Sequence, residues 1–262
     1  MRAPQYLAAL LAFALLLLMY FVCPVQAPEM TQAEASRKLQ LAATGLESMI
    51  RDARDELNPA EVSALIELED QLEAEPLPPD TTKRNILTQL AGTWFQLGYP
   101  GISAVYAQQI AELGNTPREW GMAGTSYTIC VQRADEDKVR DFCLERAEQA
   151  YLAAMSLDPD DVEYQINLAL TYTLDPKQPP MRGILQLRDL MEKFPEDPRP
   201  LVTLGRLSLQ TNQLEKAAER LDAALALDPD LQSAKCLRAE VYYRLGDTEA
   251  AARLGEGCGT QQ

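Results

Sequence analysis

The chain contains no histidine. That removes the usual general base, the usual metal ligand and every Ser-His or Cys-His nucleophile pair. No Cys-x-x-Cys spacing occurs, so no zinc site is expected, and no metal. There is no glycine-rich phosphate loop. Neighbouring acids such as Asp160-Asp161 and Asp135-Glu136-Asp137 sit at loops and helix starts, where acids act as caps. The sequence therefore predicts a protein that is not an enzyme and carries no cofactor. Basic charge is also scarce, with 24 Lys and Arg against 39 Asp and Glu and a formal charge of −15. Nucleic acid is excluded as a partner, because binding it needs a basic footprint. The acidity reads as a solvated, soluble surface.

One long apolar run is present, from Leu7 to Val22, preceded by Arg2 and continuing into Cys23. One reading is an uncleaved signal anchor that holds the protein in a membrane through residues 7–23, tolerable in length with tilt or local thinning. The other is a cleaved secretory signal with Val25-Gln26-Ala27 as its cleavage site. Pro28 would follow the scissile bond directly and opposes cleavage, which favours the anchor. A lipid on Cys23 is a third option, weakened by the bulk of Phe21 and Val22. In each case positive charge inside places the rest of the chain outside the cytoplasm. The expected divisions are 1–28 as signal anchor or signal peptide, 29–80 as helical stalk and linker, and 81–262 as repeats.

Five cysteines are present. In an exported protein they can pair, and Cys130 with Cys143 and Cys236 with Cys258 are the candidate disulfides, each pairing reasonable on antiparallel helices. The alternative is that they are buried free thiols packing as small hydrophobes.

A phrase recurs along the chain. Leu157-Asp158-Pro159-Asp160 returns as Leu227-Asp228-Pro229-Asp230, with Phe194-Pro195-Glu196-Asp197 between them. The last two proline intervals are 36 and 34 residues. Each proline follows a helical pattern, stopping one helix and starting the next. Small residues at Ala91, Gly124, Ala169, Gly205 and Ala239 are followed three positions later by Trp94, Tyr127, Tyr172, Ser208 and Tyr242. That spacing puts both residues on one helix face, one turn apart. Leu97-Gly98, Thr211-Asn212 and Leu245-Gly246 supply turns, and Ala147, Ala217 and Ala251 are the small residues of second helices. Tyr151 and Leu221 follow two of them. The spacings of the first set are 33, 45, 36 and 34. The longer intervals are assigned to loop insertions at Arg133–Lys138 and Asp175–Pro180, both polar or proline-rich.

Before the repeats, Thr31-Gln32-Ala33-Glu34 reads as a capping box. Ala35, Leu39, Ala42, Leu46, Met49 and Ala53 form a heptad seam, either a short coiled coil or an amphipathic helix packing on the first repeat. Asn58-Pro59-Ala60-Glu61 starts a helix running to about Ala74. Residues 75–80 form a linker.

A period near 34 with helix–turn–helix content resembles the tetratricopeptide (TPR) repeat family, closely in the last three repeats and more loosely in the first two. The expected fold is all-α: a TPR α-solenoid of about five helical hairpins after an amino-terminal membrane anchor and a short helical stalk. The resemblance implies a concave groove that takes a protein or peptide partner on the first helix of each repeat. On this register the groove positions are Asn85, Arg118, Asn167, Arg199, Arg206, Tyr243 and Arg244. Arginine forks match carboxylates, so an acidic or carboxylate-bearing peptide is one reading. Pairing with the protein's own acids, such as Glu163 and Glu240, is the other. The lysine–asparagine clamp that grips heat-shock chaperone tails is absent. Its positions hold Thr88, Gly92, Gly121, Thr125, Ile166, Leu170, Val202, Arg206, Cys236 and Glu240.

The order of anchor, stalk and repeats resembles membrane-anchored bacterial TPR proteins, some of which serve cytochrome c maturation. Pro180-Met181-Arg182-Gly183-Ile184 and Phe194-Pro195 look like their central repeats. This resemblance implies a single-pass protein of the bacterial inner membrane with its carboxyl-terminal domain in the periplasm. A soluble periplasmic or secreted product after cleavage is the alternative. The expected function is a scaffold or adaptor for envelope complex assembly. The alternative is a self-associating structural component of the envelope, a homo-oligomer. The last repeat is short, breaking at Gly255, Gly257 and Gly259 with no polar capping helix after it, so either the hairpin end is left partly open or another chain covers it.

Overall fold

The computed structural model describes residues 46–258, except 75, 77, 176, 178 and 179. The apolar run at 7–23, the cleavage-site candidate, Cys23, the Thr31 capping box and the first half of the heptad seam lie outside the described residues. No helix among the described residues is long and apolar enough to cross a membrane. The chain divides into two units between Glu56 and Leu57. In the first, residues 46–56 are helical and carry Leu46, Met49 and Ala53 of the seam.

The second unit opens with α1 (Pro59–Glu73). Its start follows the sequence closely. The Asn58 side chain accepts from the backbone N–H of Ala60 and Glu61, both at 3.0 Å, and Glu61 returns a carboxylate to the Asn58 N–H at 3.1 Å. This reciprocal capping satisfies donors that a helix start leaves unpaired. Five hairpins follow: α2 (Asp80–Gln96) with α3 (Pro100–Gly114), α4 (Pro117–Arg133) with α5 (Asp137–Leu157), α6 (Val162–Thr173) with α7 (Met181–Lys193), α8 (Arg199–Gln210) with α9 (Leu214–Leu227), and α10 (Gln232–Arg244) with α11 (Thr248–Leu254). No strand occurs among the described residues.

The tight turns inside the hairpins are fixed by left-handed residues. Gly98 (φ +92°), Asn212 (φ +54°) and Gly246 (φ +85°) occupy that region at the three turns read from the sequence. Glycine and asparagine accept it at least cost. Prolines begin α3, α4 and, at the second position, α8, where a missing N–H costs nothing. Asp161 and Asp247 cap α6 and α11 with their side chains.

One expectation is corrected. The residues around Arg133–Lys138 do not form an inserted loop. They extend both helices of the second hairpin, to 17 and 21 residues, against 12 and 14 in the fourth. Only Ala134–Glu136 link them. The segment is polar because it makes solvated helix ends: Arg140 reaches back to Asp137 and to the Ala134 carbonyl, and the Cys130–Cys143 disulfide ties the two ends together. The Asp175–Pro180 stretch does connect α6 to α7, with Asp175 buried and accepting from the Lys177 N–H at 2.9 Å.

The core runs through the hairpins as the small-then-large pattern requires. Trp94, Tyr127, Tyr151 and Tyr172 are at most 3% exposed. A Cβ at Gly124 would stand 2.7–2.8 Å from three carbons of the Tyr151 ring, and one at Gly205 would stand 2.8 Å from Leu221. The first-helix glycine thus seats the large residue of its partner helix. The third hairpin uses the same contact in reverse. Gly183 of α7 lies against the Ala169 carbonyl of α6, closer than any Cβ could be accommodated. Buried phenols find acceptors, as they must: Tyr127 donates to Gln108 at 2.8 Å and Tyr172 to Glu148 at 2.5 Å. Burial pushes both phenols up, so they stay neutral donors. In the fourth hairpin Ser208 stands where other hairpins have an aromatic. Arg220 of α9 fills that space, donating to Ser208 and to the Leu204 carbonyl, and burial pulls its guanidinium below its usual value.

Candidate functional site

Two grooves lie between first helices of consecutive hairpins. The first, about 580 Å³, is lined by Arg118, Gly121, Met122, Thr125 and Ser126 of α4 and by Glu163, Tyr164 and Asn167 of α6. These α4 residues recur at three- and four-residue steps, so they form one face of the helix. Gly121 is required here: a Cβ would run into the Tyr164 ring. Met122 stands 59% exposed at the rim.

The second groove, about 920 Å³, lies between α8 and α10 and is closed at one side by the turn after α11. Arg206 and Gln210 face it from α8. Gln232, Cys236, Glu240, Tyr243 and Arg244 face it from α10, and Gly257 and Cys258 from the turn. Tyr243 is 69% exposed. Cys236 and Cys258 are joined, their Cα atoms 5.5 Å apart, so the turn is stapled to α10. Cys130 and Cys143 are joined as well, with Cα atoms 6.0 Å apart.

The predicted groove residues separate into three sets. Arg118 and Asn167 come together in the first groove, and Arg206, Tyr243 and Arg244 in the second. Asn85 is exposed on α2 and joins neither. Arg199 sits at the start of α8, where it is held by Asp197 at 2.7 Å and reaches Asp161 at 3.5 Å. Its guanidinium holds the Asp197 carboxyl below the usual value. Arg244 pairs with Glu240 and donates to the Leu209 carbonyl at 2.9 Å. Two of the four arginines therefore serve the protein's own acids and backbone. Arg118 and Arg206 do not; among the described residues neither has a carboxylate partner.

Residues 184–239, from α7 into α10, match the family model described as tetratricopeptide repeat. That segment carries the tetratricopeptide repeat pattern. No curated protein matches it. Among solved structures it is similar to MamA (residue 41 to the end) from Desulfovibrio magneticus RS-1, at 19% identity over 66% of this chain and 92% of that one, with a TM-score of 0.38. It is similar to TTC0263, a thermophilic TPR protein of Thermus thermophilus, at 17% identity over 79% and 98%, with a TM-score of 0.47. A TPR protein from Parabacteroides merdae aligns at 16% identity over 82% and 78%, with a TM-score of 0.46.

The hairpins form a TPR-type helical repeat scaffold, and stacked repeats of this kind present an extended concave surface. Several residues at the family's clamp positions do line the grooves: Gly121 and Thr125 in the first, Arg206, Cys236 and Glu240 in the second. They are not lysine and asparagine. Sequence reasoning overlooked Met122, Ser126, Tyr164 and Gln232. The one-turn spacing from Arg118 to Met122 could have found the first; Tyr164 and Gln232 follow from the fold.

Proposed function

We propose that this TPR protein is a non-catalytic scaffold that holds a partner protein by a carboxylate-bearing segment laid along the first helices. One observation carries the reading: Arg118 and Arg206 face the two grooves without carboxylate partners, in a chain whose net charge is −15. An unpaired guanidinium in a groove keeps its bidentate capacity for an incoming carboxylate. The surrounding acidity repels other acidic surfaces and so confines such binding to the grooves. We further propose that the protein is anchored through residues 7–23 in the bacterial inner membrane. Its repeats would then lie in the periplasm and serve assembly of an envelope complex, of which cytochrome c maturation is one case. Two disulfides in a chain of this size support an oxidising compartment.

The test is cross-linked capture of partners by the tagged full chain in its native membranes, compared with the Arg118→Glu/Arg206→Glu double variant. The reading requires one or two partners with the wild type and their loss with the variant, while helix content by circular dichroism is unchanged. Equal recovery by both would refute the role of the grooves. Recovery of only the chain itself would move the assignment to a self-associating envelope component.

A further inference from the structure

The two disulfides differ in access. Cys130 and Cys143 are 1% and 0% exposed, sealed in the core with Tyr127 and Tyr151. Cys236 and Cys258 are half-buried, and both line the second groove beside Arg206 and Tyr243. A thiolate can attack only a sulfur it can reach, so burial makes the first bond inert and leaves the second open.

Its surroundings favour exchange. The Gln232 side-chain amide donates to both sulfurs, at 3.5 Å each, and to the Glu256 carbonyl at 3.4 Å. A donor shared between the sulfurs stabilises whichever becomes a thiolate. Arg206 adds positive potential with no carboxylate to cancel it among the described residues, whereas the Glu240 charge is matched by Arg244. Cys236 is fixed on α10. Cys258 is on a turn flanked by Gly255 and by Gly257, which has φ +84°, so it can move off without unwinding a helix.

We propose that the Cys236–Cys258 disulfide is a thiol–disulfide exchange site, which captures a cysteine-bearing acidic segment of a partner lying in the groove between α8 and α10. The inference rests on the groove reading above. The partner's thiolate attacks the Cys236 sulfur. A bond forms between those two sulfurs, and the Cys236–Cys258 bond breaks with its electron pair on Cys258, which leaves as a thiolate. The Cys258 thiolate can attack the Cys236 sulfur in turn, restoring the original bond and expelling the partner's thiolate. No oxidant is consumed in either direction, and capture is reversible.

The experiment uses the oxidised full chain, a short Glu-rich peptide with one cysteine, the same peptide with serine, and glutathione. Aliquots are alkylated at intervals and mapped by mass spectrometry, and binding of the serine peptide is measured by fluorescence anisotropy. The expected result is a mixed disulfide on Cys236 that forms faster with the peptide than with glutathione, with the Cys130–Cys143 bond intact. Gln232→Leu slows formation about tenfold, the effect of losing one hydrogen bond to a charged group. Arg206→Ala removes the peptide's advantage over glutathione. Equal rates for peptide and glutathione would overturn the proposal and leave a structural staple, as would a rate unchanged in Gln232→Leu. If the serine peptide binds while the cysteine peptide is not captured, exchange fails and the groove reading stands. If neither engages the protein, both fail.

Discussion

Two glycine-to-alanine changes should move stability in opposite directions. Gly92 is exposed inside α2, and a Cβ there would meet nothing within 4 Å. Alanine removes the entropic cost of glycine in a helix, a gain of about 0.8–1 kcal/mol. Gly183 is the third residue of α7, where a Cβ would press on the Ala169 carbonyl and lie 2.7 Å from Cγ2 of Thr173. The propensity gain is smaller so near a helix start. The carbonyl belongs to the backbone of α6 and cannot rotate away, so the two helices must separate. Overpacking of this kind costs about 1–3 kcal/mol. Separation also loosens Leu187 and Leu204, which share a core cluster with Ala169. The clash wins, and Gly183→Ala should be destabilising by about 1–2 kcal/mol net.

For a unit of this size 1 kcal/mol corresponds to about 2–4 °C in Tm. Gly92→Ala should melt a few degrees above the wild type and Gly183→Ala a few degrees below, followed by circular dichroism. Repeat arrays can lose two-state behaviour, so hydrogen exchange should accompany the melts. Faster exchange in Gly183→Ala should centre on α6 and α7. A Gly183→Ala protein as stable as the wild type would show that the α6–α7 approach is not as close as described, and the reasoning would fail.

Replacing Cys130 and Cys143 together by alanine should cost about 3 kcal/mol in denaturant titration, because the bond closes a short loop and its sulfurs are buried. Trp94→Ala should cost about 3–5 kcal/mol, with faster hydrogen exchange centred on α1–α3 and their nearest neighbours, since each hairpin packs mainly on adjacent ones. Acid stability should depend on two carboxylates. The Arg199 side chain lowers Asp197 against its partial burial. Burial raises Glu119, but hydrogen bonds from Arg84 and Thr116 outweigh it and leave the carboxyl below its usual value. A carboxyl depressed in the folded state contributes stability that is present above its unfolded value, about 4, and lost as the pH falls through the folded value. Asp197→Asn and Glu119→Gln should each lower the neutral-to-alkaline plateau without changing its slope and flatten the acid limb, read by urea titration across pH.

What the sequence disclosed was local in origin. The Asn58 box, the left-handed Gly98, Asn212 and Gly246, and the small-then-aromatic pairs each act within one turn or one hairpin, so composition and spacing suffice to place them. What it hid depends on residues brought together by the fold. The Ser208 slot looks like a missing aromatic until Arg220, twelve positions on, is seen to fill it. The polar run at Arg133–Lys138 looks like a loop because solvated helix ends and loops share a composition. Gly183 carries no marker, since its partner is a backbone carbonyl in another helix.

The arginines show where the boundary falls. Arg199 has Glu196 and Asp197 just before it and Arg244 has Glu240 one turn back, so a partner lies within helical or turn reach. Arg206 has Val202, Thr203, Leu209 and Gln210 at those positions, and Arg118 has Gly114, Asn115, Gly121 and Met122. The one acid beside Arg118, Glu119, points instead to Arg84 and Thr116. Among these four arginines the two without a carboxylate partner are the two without an acid one turn away; elsewhere the fold decides, since Arg182 and Arg238 reach Glu148 and Asp222 on other helices. Binding through the grooves should accordingly respond to charge reversal at Arg118 and Arg206 and much less to reversal at Arg199, whose guanidinium is already engaged.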